Sequence, residues 1–238
     1  MKIKHSIKQW DSDFFGYPVG EAFIEAYSQL DYPKMRALFL EADYHLVYLF
    51  PAHSAIVEEL GKNDIPVWDK KITYFKGRKD FYTGNDLYDI ESYEMDTQYD
   101  RLLTLALASG AFSRFALDDN FERDIFYRLY KVWLDSSLSK AIANDVLVYK
   151  IDNRIVGFIT YKIISQVLQV GLLAVDQKCR GKGIGSALMQ TIESIAQSKN
   201  LISVSVETQN ANASACRFYE KNKYQVRHKQ DICHLWII

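Results

Sequence analysis

Residues Val175 to Gly185 read V-D-Q-K-C-R-G-K-G-I-G, and they decide how the rest of the chain is read. An apolar run, Val167 to Val175 (V-L-Q-V-G-L-L-A-V), leads into this basic, glycine-rich segment. A helical pattern, Ile184 to Ala196, follows at once. The order predicts a strand, an anion-binding loop and a helix whose N-terminus faces the anion. Glycine at 181, 183 and 185 lets backbone N–H groups approach phosphate oxygens, because no Cβ stands in the way. The first N–H groups of a helix have no partner inside it, and the helix dipole adds partial positive charge there. Arg180, between Lys178 and Lys182, adds full charges. The segment predicts that the protein grips a pyrophosphate.

Three glycine-loop patterns compete for that reading. A triphosphate-binding loop needs G-x-x-x-x-G-K-[ST], a spacing that does not occur here. A dinucleotide turn needs G-x-G-x-x-G in the first βαβ unit, whereas Gly181, Gly183 and Gly185 make G-x-G-x-G late in the chain. The third pattern is R-x-x-G-x-G, filled by Arg180, Gly183 and Gly185. A second signature follows an alternating strand, Leu201 to Glu207: T-Q-N-A-N-A-S-A-C-R-F-Y-E-K-N-K-Y, residues 208 to 224. It holds N-x-x-A-x-x-x-Y from Asn212 to Tyr219. With these two signatures in this order, the chain from here to its end resembles the GNAT N-acetyltransferase superfamily. That resemblance implies an α/β fold with a central mixed, mostly antiparallel sheet flanked by helices, and acetyl-CoA as co-substrate.

Composition sets the outer bounds. The chain has 238 residues, room for one large domain or two small ones. Its 48% hydrophobic and 25% charged content is ordinary for a globular protein. A net charge of −1 argues against a nucleic-acid partner, which needs a basic excess. The 16 tyrosines and 13 phenylalanines are read mainly as aromatic core. No apolar run reaches membrane-span length, and M-K-I-K-H-S-I-K-Q-W lacks the apolar stretch of a signal peptide. Three cysteines without C-x-x-C spacing suggest reduced thiols and a cytoplasmic setting. Five scattered histidines show no metal spacing.

Along the second half, the patterns predict a strand at Tyr88–Met95, helices at Tyr99–Ser109 and Phe121–Ser139, and a hairpin of Asp145–Lys150 with Arg154–Ile164 turning at Asp152-Asn153. Strand 167–175, the loop and its helix, strand 201–207, helix 211–222 and a final hairpin to Ile238 complete it. In the first half the reading gives helix 31–42, strand 44–50, helix 53–62, and one or two strands within Ile65–Phe75. Turn signals at Gly77 to Gly84 put a boundary between domains 1–84 and 85–238. The N-terminal domain contains no G-x-G and is read as a degenerate half-repeat with a substrate-side or dimerisation role.

The resemblance implies roles for individual residues. The strand end Leu173-Ala174-Val175 splays from its neighbour, and its backbone pairs with the pantetheine arm like an added strand. An N–H near Leu173 faces the thioester oxygen. Arg180, Gly181, Lys182, Gly183, Ile184, Gly185 and Ser186 hold the pyrophosphate, while Asn212 and Ser214 contact pantetheine or phosphate. Tyr219 is the general acid, since a phenol keeps its proton at neutral pH and matches a thiolate in basicity. The family's usual base position, four residues before Leu173, holds Gln169. The proton then leaves through water, or through Glu207 or Asp69.

Two further stretches narrow the resemblance. W-D-S-D-F-F-G-Y-P at 10–18, and S-R-F at 113–115 followed by L-Y-K-V-W-L-D-S-S-L at 129–138, are similar to the dTDP-fucosamine acetyltransferase group. The group implies an amine on a nucleotide-linked amino-deoxysugar as acceptor and is consistent with a homodimer. Ser113, Arg114 and Phe115 then border the acceptor, with Arg114 suited to phosphate or serving only as a salt-bridge partner. Tyr130 and Trp133 are stacking platforms or helix core, with core favoured for Trp133. Two other readings stay open: a GNAT enzyme for a peptide N-terminus, polyamine or antibiotic, and a non-catalytic acyl-CoA-binding protein.

Overall fold

A computed structural model describes residues 2–25, 30–84, 88–94 and 98–237. The chain forms two compact units, one of Met1–Ile72, Gln209–Ala211 and Lys229–Ile238, the other of Thr73–Thr208 and Asn212–His228. The chain therefore crosses between units at Ile72, ahead of the turn-rich segment 77–84, and its last ten residues return to the first unit.

The first unit contains β1 (Lys2–Ile7), α1 (Gln9–Phe15), β2 (Val19–Glu25), α2 (Tyr32–Glu41), β3 (Leu46–Pro51), α3 (Ser54–Gly61) and the start of β4 (Val67–Gly77). β1 runs antiparallel to β2, which runs parallel to β3. Asp31 starts α2 by accepting the Lys34 N–H at 3.1 Å, ahead of a proline in the first turn. Met35, Phe39, Ile56 and Leu60 of the two helices close over Ala22, Val47 and Leu49. Sequence patterning found α2, β3 and α3 to within two residues but not β1, α1 or β2.

The second unit carries the remaining elements: β5 (Ile90–Ser92), α4 (Tyr99–Ser109), α5 (Arg114–Leu117), α6 (Ile125–Leu138), β6 (Asp145–Ile151), β7 (Arg154–Ile164), β8 (Val167–Val175), α7 (Ile184–Ser198), β9 (Ser203–Gln209), α8 (Ala213–Lys221) and the start of β10 (Gln225–Trp236). Strands β5 to β8 pair antiparallel in sequence order, and β9 joins β8 in parallel, so the sheet is mixed. Asp152 and Asn153 both have positive φ, the type I′ geometry the hairpin reading required. Leu102, Leu105 and Ala106 of α4 pack with Leu134 of α6 against Val146, Val148, Phe158 and Ala174. The final element is one twelve-residue strand, β10, where the sequence suggested a hairpin. The expected strand at 88–95 is the three-residue β5, and Met95 lies outside the described residues. Ile238, the expected end of the hairpin, also lies outside them. Among the described residues no helix is long and apolar enough to cross a membrane.

Candidate active site

The site is built on an irregularity in β8. Two registers meet there: Ile159 pairs with Leu173, but Tyr161 pairs with Val170. β8 thus carries one extra residue, a bulge at Gly171-Leu172 opposite Thr160. Thr160 Oγ1 accepts the Leu172 N–H at 2.9 Å and fixes it. A Cβ at Gly171 would lie 2.7 Å from the same oxygen, so the close approach needs glycine.

The bulge also marks where β8 leaves β9. Their pairing runs from Val167↔Ser203 to Val170↔Val206 and stops. Asp176 N donates to Val156 O at 2.7 Å, which makes 156 and 176 a hydrogen-bonded pair. Antiparallel ladders alternate, so Phe158 and Ala174 bond in the same way. The peptide groups of Leu173 and Val175 then point away from β7, toward the side that β9 has vacated. Arg180 Nε donates to Val175 O at 3.2 Å from that side. The splay the sequence led us to expect is present, and among the described residues it leaves a short strand edge on which Arg180 takes the Val175 carbonyl.

A cavity of about 400 Å³ opens along this edge. The strand end Leu173, Ala174 and Val175 forms one wall, and Arg180, Gly181, Gly183, Ile184, Gly185 and Ser186 form a second. Asn212, Ser214, Phe218 and Tyr219 of the α8 region form a third. Of the twelve residues expected to hold the coenzyme, eleven line this cavity, and Lys182 is exposed beside it.

Local chemistry explains the loop. Gly181 and Gly183 have φ of 77° and 85°, the left-handed region that side chains resist. Gly183 starts α7 without a side-chain cap, so the first-turn N–H groups stay available at the cavity wall. Asp176 accepts the Lys178 N–H at 2.8 Å and is ion-paired with Arg101 of α4. Gly185 also matters for packing: a Cβ there would come within 3.1 Å of Phe218, so its absence lets α8 approach α7 closely.

Asn212 Oδ1 caps α8, accepting Ala215 N at 3.2 Å and Ser214 Oγ at 3.1 Å. That cap aims the helix and sets Tyr219, two turns on, at the cavity wall. Tyr219 is 5% exposed, and its hydroxyl has no hydrogen-bond partner among the described residues. Burial, then the neighbouring Cys216, pushes its pKa up, so the phenol stays protonated across the neutral range. Tyr74 stands behind it with ring centroids 5.5 Å apart, and donates to Glu220 Oε1 at 2.9 Å.

The other expected residues lie elsewhere. Ser113 is buried and caps α5, accepting Phe115 N at 3.2 Å. Phe115 packs on Phe121 and Trp133, and the Arg114 guanidinium lies 4.5 Å over the Phe115 ring. None of the three lines the cavity, whereas Phe112, just before them, does. Gln169 lies beyond the bulge on a second cavity, with Trp133, which is not simple core. Glu207 is the first β9 residue past the last β8 pair, and accepts Thr73 Oγ1 at 3.3 Å. Asp69 belongs to β4 in the first unit and is 8% exposed. Ala108, Ser109, Cys179 and Lys221 line the cavity without having been expected there: Cys179 and Lys221 fall within the two motifs, while Ala108 and Ser109 come from the end of α4.

The site thus joins a splayed strand edge to a glycine loop at a helix N-terminus along one cavity. The sequence matches the acetyltransferase (GNAT) family over residues 101–224, and the chain belongs to that family. The uncharacterized N-acetyltransferase MJ1530 of Methanocaldococcus jannaschii is 33% identical over 113 residues, 46% of this chain and 70% of that protein. The uncharacterized protein YxbD of Bacillus subtilis is 33% identical over 75 residues, 32% of this chain, and less than half (46%) of its length is spanned. A GCN5-related N-acetyltransferase from Sphaerobacter thermophilus shares the fold with a TM-score of 0.61 and 12% identity, over 99% of this chain and 76% of that one. A conserved protein from Staphylococcus epidermidis does so with a TM-score of 0.66 and 12% identity, over 94% and 86%.

Proposed function

We propose that the protein transfers the acetyl group of acetyl-CoA to the amine of a nucleotide-linked amino-deoxysugar in the cytoplasm. The observation that carries the transferase reading is the splayed edge at Leu173 and Val175, continuous with the glycine loop along one cavity. Acetyl-CoA supplies an activated acyl group as a thioester. The chain supplies the rest. N–H groups at Gly181 to Ser186, with Arg180 and Lys182, hold the diphosphate. Leu173 and Val175 align the pantetheine as an added strand, and the Leu173 N–H is the donor for the acyl oxygen. Tyr219 holds a proton at its hydroxyl for the departing sulfur. Glu207 is the nearest fit to a base, at the mouth of the splay.

The sugar assignment is supported by the resemblance of residues 10–18 and 113–138 to the dTDP-fucosamine group. On this reading the first unit serves the acceptor side or a homodimer contact. The test is release of coenzyme A thiol with a panel of amines. Turnover confined to nucleotide-linked amino sugars upholds the proposal. Turnover with peptides, polyamines or antibiotics instead moves it to another acceptor, and acetyl-CoA binding without any turnover makes the protein a sensor.

A further inference from the structure

Helix α8 carries Tyr219, yet little apolar burial holds it. It has nine residues and one buried side chain, that of Tyr219 itself. A helix this short takes its direction from tertiary contacts and not from its own propensity. Phe218 rests on Gly185 of α7, and further contacts come from two tyrosines. Tyr74, on the part of β4 in the second unit, is 1% exposed, and its ring lies against that of Tyr219 with centroids 5.5 Å apart. Its hydroxyl donates to Glu220 Oε1 at 2.9 Å and is hydrogen-bonded to the Cys216 thiol. Residues 216 and 220 are one turn apart on the same helix face. The Tyr224 ring is 6.1 Å from that of Tyr219, and its hydroxyl donates to Glu193 Oε1 at 3.0 Å. Both neighbouring hydroxyls are thus committed to carboxylates. Among the described residues the Tyr219 hydroxyl alone of the three has no hydrogen-bond partner.

β4 is a fixed reference for this arrangement. Lys76, two residues beyond Tyr74 and so on the same strand face, is ion-paired at 2.8 Å with Glu193 of α7. One face of β4 therefore ties both the helix that opens with the glycine loop and the helix that carries Tyr219. Rotation of α8 is the motion these ties resist. Turning a helix by about 10° moves an atom roughly 6 Å from its axis by about 1 Å. A misplacement of about 1 Å at a reacting group costs about 100-fold in rate.

We propose that Tyr74 is a positioning residue for the transfer: through Cys216, Tyr219 and Glu220 it fixes the rotation of α8, and with it the place of the Tyr219 hydroxyl at the cavity wall. Tyr74 does not itself line the cavity. The inference rests on Tyr219 as general acid, in the reading above.

The test has two arms. In the first, the full-length protein is labelled with 3-fluorotyrosine, and the Tyr219 resonance is identified as the one that Y219F removes. Y74F keeps the ring and removes both hydrogen bonds, and it is expected to shift or split that resonance. E220Q keeps an oxygen acceptor for the Tyr74 hydroxyl and is expected to leave the resonance in place. A resonance unmoved in Y74F, or moved as far in E220Q, overturns the inference. In the second arm, kcat is measured with the amine of the panel that releases thiol fastest, beside acetyl-CoA affinity by calorimetry. Y74F should lower kcat about 10- to 100-fold with affinity unchanged, and E220Q should keep most of it. Added to Y219F, Y74F should lower kcat no further, because two residues that act through one group are not additive. An additive loss in the double variant, or a loss of coenzyme affinity equal to the loss of kcat, makes Tyr74 a general packing residue and overturns the inference. Wild-type kcat in Y219F removes the general-acid reading alone, and the fluorine spectrum still decides whether Tyr74 orients the Tyr219 ring.

Discussion

The Leu172 N–H donates to Thr160 Oγ1 at 2.9 Å across the bulge, and this one contact ends the regular ladder where the active-site edge begins. Thr160 is 2% exposed. T160V keeps the shape and removes the acceptor, leaving a buried N–H unpaired. The expected cost is about 1–3 kcal/mol in denaturant unfolding, with a lower kcat. A variant of wild-type stability would show that the bulge does not depend on this hydroxyl.

Tyr219 should act on chemistry and not on binding. Y219F is expected to lower kcat about 100- to 10,000-fold, the usual worth of general acid catalysis, with acetyl-CoA affinity unchanged. Steady-state kinetics with calorimetry separates the two. A near-normal kcat would return Tyr219 to the helix core.

Gly183 isolates backbone strain from steric fit. A Cβ there meets nothing within 4 Å of protein, but φ is 85°. G183A should therefore cost about 1–2 kcal/mol of stability from the left-handed conformation alone. Gly183 lines the cavity, so on the proposed function acetyl-CoA affinity should fall as well. Loss of stability with undiminished affinity would move the diphosphate away from this loop.

Helix α7 is anchored by a buried ion pair. Lys76 Nζ lies 2.8 Å from Glu193 Oε2, at 7% and 1% side-chain exposure. Tyr224 Oη and the Tyr82 N–H complete the carboxylate's shell at 3.0 and 2.7 Å. K76M strands the carboxylate and should cost about 3–5 kcal/mol. E193Q strands the Lys76 ammonium in the same way, whereas the double variant K76M/E193Q strands neither charge and should cost less than K76M alone. A double variant at least as costly as K76M in urea unfolding would contradict the buried-charge explanation.

The raised tyrosines set an alkaline limit. Burial pushes up the pKa of Tyr219, and burial with Glu193 pushes up that of Tyr224. A phenol whose folded pKa exceeds its unfolded value holds its proton more tightly when folded. Its contribution is complete below the unfolded pKa of about 10 and is lost as pH rises through the raised value. Stability should therefore fall above that point, and Y224F should flatten the fall. A decline beginning well below it would point to other groups.

The second unit was legible because its signals are local. Asp152-Asn153 dictates a I′ turn, Asn212 a helix cap, and Arg180 to Gly185 a loop, each within a few residues. The first unit's edge was not legible: α1 buries no residue fully, so the periodicity that betrays helices is absent. β10 carries few turn signals but ends in a different unit from the one where it begins, a long-range fact with no local trace. The bulge was hidden because Gly171 reads as an ordinary strand glycine until Thr160 is placed opposite it. Ser113 is a helix cap and Phe115 a core aromatic, and in sequence these look the same as a polar contact and a stacking platform.

Amide hydrogen exchange with and without acetyl-CoA tests the site most directly. Protection should rise at Leu173, Val175 and the amides from Gly181 to Ser186, while β1 to β3 stay unchanged. Coenzyme binding with no added protection at those amides would contradict the placement of the diphosphate and the pantetheine.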